Sequence, residues 1–500
     1  MRTALRGTQL RRLPQDAWHE LRPIWRWIAL GIALRVLLSP LQHTWDSQTW
    51  WNVASELGNQ SSLVAAVAAP YERMRELSTL AHGSGFQQFY EYWAYPPAML
   101  LAWRPVARAY VLLGGAPLVE RFAGPDTFTA LPLPLVLSLG MKIPSIIADA
   151  CTALLLRRLA GTAVAKWYFF NPYVLLIGAW TFDPVMVAFL LGGVFAASHR
   201  RWWLSGILLG LGAAVKFVPA LLVPVVMLQA WRLGNRPLRT AAGAGCAAAL
   251  AFLCVCAPWW QGVLYVLQFH ATRVGGGMSW QSIWGAIAWI DPFADLASVH
   301  LYLSAQVGAL TLSGCVLLAY WLITLRHLDL VQSSLVVILA YLAGSKLVNE
   351  AYPLPALALA VVVAVGVPRG DAARSALGVS PENSSHASIV DRVARANGDF
   401  FRPFRQSMLV RFLWLTPLAF AALNVPLWGF GVAPAEALGW IDLEAARLYH
   451  AAYLLTYQYL SLVLTLMGTG FQIGCVVAAW RLLRPRALRH ARRLVRGLTA

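Results

Sequence analysis

Lysine is nearly absent from this chain. There are four, Lys142, Lys166, Lys216 and Lys346, so 40 − 4 = 36 of the basic residues are arginine. Charge of any kind is sparse, at 12% of 500 residues, and long polar stretches are rarer still: 59% of the residues are hydrophobic, and apolar runs of membrane-spanning length recur from end to end. An ordinary soluble protein is excluded. Cysteine is also scarce. Cys151, Cys246, Cys254, Cys256, Cys315 and Cys475 fall mostly inside apolar runs, without disulfide or metal-site spacing, and read as packing residues. Acids are outnumbered, 22 to 40, yet the net charge of +18 does not point to nucleic acid. The bases sit at the N-terminus, in short connectors such as H-R-R-W (199–202) and R-L-G-N-R-P-L-R (232–239), and in the tail R-L-L-R-P-R-A-L-R-H-A-R-R. Short basic connectors mark the cytoplasmic side of a membrane, and a basic tail suits an anionic inner leaflet.

Placing those connectors inside predicts an all-α polytopic membrane protein with about 12–14 transmembrane helices and two external loop regions. Residues 1–22 are expected to be a cytoplasmic N-terminus. The run at 23–41 lacks a small-residue cleavage pattern after it and reads as a retained span rather than a removed signal peptide. Residues 42–93 form the first external loop and 94–113 a returning span. Segments then zigzag at 128–141, 143–157, 166–181, 183–198, 202–215 and 217–232. Several fall below the roughly 20 residues that a lone span needs, so they are expected to be broken, tilted or shielded by neighbours. A span at 239–257 leads to the second external loop, 258–300, and further spans near 302–325, 330–346 and 351–367 close a membrane region covering 23–367. A polar segment, 368–408, is expected to be a mobile cytoplasmic loop, 409–482 to hold the last helices, and 483–500 to be a basic cytoplasmic tail.

A charge at the centre of a span costs roughly 2.5–3.5 kcal/mol on insertion scales, so ionisable groups there need a reason. This topology gathers Asp46, Lys142, Asp183, Lys216, Lys346 and Glu350 near the outer ends of their segments. Lys166 falls at an inner start and reads as a snorkelling anchor. A carboxylate can take a proton from an attacking hydroxyl, and cations can neutralise charge building on a departing phosphate. A phosphate leaving group needs no protonation, so one base with several cations is the inventory for transferring a group from a lipid phosphate donor.

Six passages resemble, in order, the GT-C glycosyltransferases that use a polyprenyl-phosphate sugar, in their mannosyltransferase-like branch. They are H-T-W-D-S-Q-T-W-W (43–51), Y-E-Y-W-A-Y-P-P-A-M-L (90–100), M-K-I-P-S-I-I-A-D-A-C-T-A-L-L-L-R-R-L (141–159), F-F-N-P-Y-V-L-L-I-G-A-W-T-F-D (169–183), S-G-I-L-L-G-L-G-A-A-V-K-F-V-P-A-L-L-V-P (205–224) and K-L-V-N-E-A-Y-P-L-P (346–355). P-Y-E-R (70–73) also resembles a passage in the first mannosyltransferase of glycosylphosphatidylinositol synthesis. Two departures stand out. Asp46 is followed by Ser47 and Gln48, so the second acid of the family's frequent Asp-x-Asp is missing, which argues against a metal bridged by that pair. The frequent Gly-Gln-Phe-Asp is here Trp180-Thr181-Phe182-Asp183.

The resemblance implies a GT-C-like fold and a catalytic domain at 23–367. Asp46 is implied as the catalytic base, against the alternative of a polar residue in an interfacial tryptophan belt. Lys216, with Arg273 and Lys346, would meet the donor phosphate; otherwise Lys216 closes a break between two short helices. Asp183 would orient Lys216 or the acceptor. Lys346 and Glu350, at i,i+4, are open between a structural ion pair and site groups. Lys142 and Asp149, two turns apart on one face, read first as a buried pair and otherwise as support for the site. His270 and Arg273 flank F-H-A-T-R-V-G-G-G and suit either phosphate contact or loop solvation. Tyr95, Trp45, Trp50, Trp51, Trp280 and Trp284 suit sugar stacking or interface anchoring. His43 is placed to tune Asp46, though a lone histidine usually has no such role.

The function implied is transfer of a monosaccharide, mannose first, from a polyprenyl-phosphate donor to an acceptor hydroxyl on the outer face of a plasma (inner) membrane. No cofactor or metal is expected. The partners are the lipid-linked donor, a glycolipid, glycan or protein acceptor, and membrane lipids. The alternatives are a transporter or flippase of a lipid-linked sugar, which predicts internal repeats and midplane charges, and a polyprenyl-diphosphate-glycan ligase, which predicts more arginines in the outer loops.

Overall fold

The computed structural model describes residues 24–42, 44–82, 93–115, 118, 133–272, 282–283, 297–326, 328–346, 348–365, 407–424 and 443–484. Among the described residues the regular structure is helical, without a strand, and the chain is an all-α polytopic membrane protein. The helices in chain order are α1 (Trp25–Leu37), α2 (Thr44–Asn59), α3 (Leu63–His82), α4 (Ala98–Leu112), α5 (Leu135–Ala160), α6 (Thr162–Phe170), α7 (Pro172–Trp180), α8 (Asp183–Ser198) and α9 (Trp202–Val215). There follow α10 (Val223–Leu233), α11 (Pro237–Cys256), α12 (Trp260–Thr272), α13 (Ala297–Arg326), α14 (Leu330–Gly344), α15 (Leu354–Val365), α16 (Met408–Asn424) and α17 (Leu443–Leu483).

Among the described residues, four helical stretches are long and apolar enough to cross a bilayer: α5, the rod Pro237–Ala271 built by α11 and α12, Val307–Arg326 of α13 and Leu462–Leu483 of α17. A fifth arises if α7 and α8, which meet at a bend of 117°, count as one broken span. The helices α9, α14, α15 and α16, and the stretch Val218–Leu233, are apolar but shorter. One of them packs tightly on a long span: Gly206 and Gly210 of α9 sit so close to the Ala244 and Ala248 carbonyls of α11 that a side chain at either would collide with backbone. Small residues four apart let apolar helices approach in this way.

One part of the expected zigzag is replaced. Residues 133–157 are not broken into two passes at Lys142; α5 runs unbroken through Lys142 and Pro144. The ammonium is accommodated because it reaches backbone carbonyls outside the helix. Lys142 Nζ donates to Ser39 O at 2.6 Å and Leu41 O at 2.7 Å, while Arg35 meets Asp149 further along α5. The helices α1 and α5 are therefore antiparallel neighbours, and α5 begins beside the end of α1.

The helices α2 to α4 lie between these two in sequence. Within the expected returning span 94–113, α4 is 15 residues long and is not among the helices long and apolar enough to cross a bilayer on their own. Its Arg104 and Arg108 instead hold carbonyls at the end of α2, Arg104 those of Gln60 and Ser61, and Arg108 that of Gly58 at 3.2 Å. The last carbonyls of a helix carry partial negative charge and lack intrahelical donors, so guanidinium groups suit them. A further difference lies at 166–181. Asn171 caps α7, its Oδ1 accepting from Tyr173 N at 2.9 Å, and Pro172 has no N–H to continue α6, so two short helices replace one.

Candidate functional site

The site begins with a hairpin. Helices α8 and α9, of 16 and 14 residues, are joined by His199–Arg201, with Arg200 in a left-handed turn (φ 58°). Near-equal antiparallel helices bring the first residue of α8 and the residue after α9 to the same end. Those residues are Asp183 and Lys216. Lys216 Nζ donates to Asp183 Oδ1 at 2.8 Å, with the two side chains only 10% and 5% exposed, so this is a buried, charge-assisted pair. Both helix ends favour it: a carboxylate stands at an N-terminus and an ammonium at a C-terminus.

The sequence places each partner deliberately. Thr181 Oγ1 bonds Ile177 O at 3.2 Å and accepts from Asp183 N at 3.3 Å, and Ser145 donates to Thr181 O at 3.2 Å. These contacts hold the sharp bend from which Asp183 emerges. Lys216 is extended (φ −156°, ψ 136°), and Pro219 follows in a short 3-10 turn, Val218–Leu222, so α9 stops at Val215.

Two tyrosines flank the ammonium. Lys216 Nζ lies 4.8 Å from the Tyr352 ring centre and 5.3 Å from that of Tyr95, within cation–π range. Tyr352 is set by Asn349, whose Oδ1 accepts from the backbone N–H groups of Ala351 (3.0 Å) and Tyr352 (3.3 Å) in the break between α14 and α15. Tyr95 is set by its backbone: Tyr71 of α3 donates to Tyr95 O at 2.9 Å, and His270 Nε2 of α12 donates to Ala94 O at 2.7 Å. Burial pushes the Tyr71 phenol well above its usual range, which keeps its proton available for that bond. Beneath them Trp93, Trp103, Phe182 and Trp50 pack edge to face or tilted, and Trp103 Nε1 donates to Met141 O at 2.8 Å.

Asp46 is half-buried on the first turn of α2, and its carboxylate lies within electrostatic reach of Lys216. The structure thus brings together Asp46, Tyr95, Asp183 and Lys216. His270 reaches the same group through Ala94 and through its ring contact with Phe217, at 6.2 Å between centres. A buried cation and a half-buried carboxylate within its electrostatic reach can receive, respectively, an anion and a proton.

Other expectations are corrected. Lys142 and Asp149 do not pair with each other. Asp149 Oδ2 accepts from Arg35 Nε at 2.7 Å, and Lys142 is spent on the Ser39 and Leu41 carbonyls, because two turns of separation exceed what one ammonium can span while α1 lies alongside. Lys346 and Glu350 do not share a helix turn, since α14 ends at Gly344 and α15 starts at Leu354. Lys346 Nζ donates to Ala271 O at 3.0 Å, and the buried Glu350 offers its backbone carbonyl to Tyr173 OH at 2.7 Å. Trp50 and Trp51, 2% and 1% exposed, belong to the core rather than to a sugar platform or an interfacial belt. Arg273, His43, Trp280, Trp284 and the side chain of Trp45 lie outside the described residues.

Sequence reasoning missed Tyr352 and Arg35. The signal for Tyr352 was present in N-E-A-Y, where Asn two or three residues ahead makes the Asx turn. Arg35 carried only the weaker signal of an arginine inside an apolar run.

The family model described as GPI transamidase subunit PIG-U matches residues 31–298. The chain belongs to that family. It is a multi-pass membrane family related to proteins of GT-C-like glycosyltransferase fold. The match takes in Asp46, Tyr95, Lys142, Asp149, Asp183, Lys216, His270 and Arg273, and stops before Lys346 and Glu350. No curated protein matches the chain.

Proposed function

We propose that this member of the PIG-U family is an inverting glycosyltransferase of GT-C type, multi-pass in a plasma membrane, with its site on the outer face. Its donor is a polyprenyl-phosphate monosaccharide, mannose first. The observation that carries this reading is the buried Lys216–Asp183 pair at a convergence of helix ends, flanked by Tyr95 and Tyr352 and with Asp46 in electrostatic reach.

Asp183 aims Lys216, and Asp46, the acid that the resemblance implies as the base, is given the proton-transfer role. The acceptor hydroxyl gives its proton to Asp46, and its oxygen forms a bond to the anomeric carbon. The bond from that carbon to the donor phosphate oxygen breaks, and the electron pair leaves with the lipid phosphate. Lys216 stabilises that charge, and Asp183 aims the ammonium. Tyr95 and Tyr352 offer aromatic faces to the sugar. Arg273 and Lys346 are assigned as further phosphate cations, Glu350 and His270 as support. The catalytic domain is assigned to 23–367. The acceptor is a glycolipid, a glycan or a protein, and neither cofactor nor metal is assigned.

The family's description supports a second reading, a membrane subunit of a transamidase complex in which the same cation and aromatic faces hold a glycolipid without turning it over. One experiment separates them. Purified protein in proteoliposomes is given labelled polyprenyl-phosphate mannose and a membrane extract as acceptor source. The transferase reading expects donor consumption and a new labelled glycoconjugate. Saturable donor binding without consumption supports the subunit, and movement of intact donor between leaflets supports a flippase.

A further inference from the structure

Asp46 stands four residues beyond a connector, 39–42, that is fastened from one direction. Ser39 O accepts from both Ser138 Oγ (3.1 Å) and Lys142 Nζ (2.6 Å), and Leu41 O accepts from Lys142 Nζ at 2.7 Å. Gln42 exchanges two bonds with Leu133: its Nε2 donates to Leu133 O at 3.0 Å and its Oε1 accepts from Leu133 N at 2.7 Å. The groups that fasten the connector, on Leu133, Ser138 and Lys142, lie just before or within about the first two turns of α5. Lys142, Ser138, Ser39 and Gln42 are each at most 2% exposed. An ammonium buried to this degree is costly unless its donors are used. Here they are used on the carbonyls that follow α1, where the chain turns into α2.

We infer that Lys142 is a positioning residue for Asp46. It fixes where α2 starts and so where the residue-46 side chain stands relative to Lys216. An apolar side chain cannot replace it, because Leu41 O would lose its donor and Ser39 O would keep only Ser138 Oγ, and arginine carries its charge on a bulkier, planar group. The geometric claim stands on the contacts above. Its catalytic consequence rests on the transferase reading.

The test has two arms, both run on the full chain in proteoliposomes. In a background with the six native cysteines replaced, Asp46→Cys and, separately, Ser198→Cys at the exposed far end of α8 are labelled with a membrane-permeant methanethiosulfonate, which reaches both ends of α8. Adding Lys142→Met is expected to change the labelling rate at residue 46 severalfold and leave that at residue 198 unchanged. Equal rates at residue 46 overturn the inference, whatever the transfer assay gives. In the second arm, Lys142→Met with Asp46 present is expected to lower kcat about 10²-fold, the scale of a 1 Å misplacement, with donor KM nearly unchanged. A kcat equal to wild type overturns the inference, whereas absence of transfer by wild type overturns the transferase reading and leaves the labelling arm to decide. If Lys142→Met changes labelling at residue 198 as well, or does not fold, Ser138→Ala replaces it. That variant removes one bond of the set and is expected to give the same pattern at smaller amplitude; no change in either arm overturns the inference.

Discussion

Removing one partner of the Lys216–Asp183 pair should cost far more than removing both. The pair is joined at 2.8 Å with side chains 10% and 5% exposed, so water cannot replace a missing partner. Lys216→Met strands the Asp183 carboxylate, and Asp183→Leu strands the ammonium. Breaking a buried pair from one side typically costs about 3–5 kcal/mol, whereas replacing both ions by apolar groups of similar volume is often near neutral. The Asp183→Leu/Lys216→Met double variant is therefore expected to be more stable than either single variant, which requires a coupling larger than either single loss. The assay is a four-protein cycle in detergent micelles, following helical circular dichroism through a denaturant titration. Single-variant losses below about 1 kcal/mol, or losses that simply add, would mean a solvated surface-type pair and would refute the reasoning. Sugar transfer measured on the same proteins should stay abolished in the double variant, because restored packing does not restore a cation.

Other substitutions test the frame around the site. Gly178→Ala would put its Cβ 2.7 Å from Asp149 Oδ2, so it should disturb the Arg35–Asp149 pair and destabilise the protein by about 1–3 kcal/mol in the same titration. Gly210→Val collides with the Ala248 carbonyl and should sharply lower the monodisperse yield on size exclusion, while Gly243→Val, in open space on α11, should not. His270→Phe removes the donor to Ala94 O and loosens Tyr95; donor KM should rise by severalfold, with less change in kcat, and an unchanged KM would remove His270 from the donor side.

The membrane class and the helical architecture were legible because apolar runs and basic connectors speak directly to the bilayer. The α8–α9 hairpin was legible too, since Asp183 and Lys216 bracket two apolar segments of nearly equal length. What misled was treating every buried charge as a segment end. Lys142 reads like a break, yet a lysine stem can leave its own helix and find carbonyls on a neighbour, which no local pattern shows. The Lys346–Glu350 spacing assumed a helix where Asn349 makes an Asx turn. Arg104 and Arg108 look like charges within a span, but serve the end of a different helix. For Lys142, Arg104 and Arg108 the partners lie in a separate part of the chain, some tens of residues or more away, so the sequence names the group that needs a partner without naming the partner.

The central claim is that Asp46 receives the acceptor's proton beside a cation held by Asp183. It is tested most directly by Asp46→Asn in proteoliposomes, with labelled polyprenyl-phosphate mannose, following donor binding and sugar transfer together. The account predicts unchanged donor binding and transfer lowered by roughly 10²–10⁴-fold, the range of a lost general base. Transfer at the wild-type rate with Asn at position 46 would contradict it.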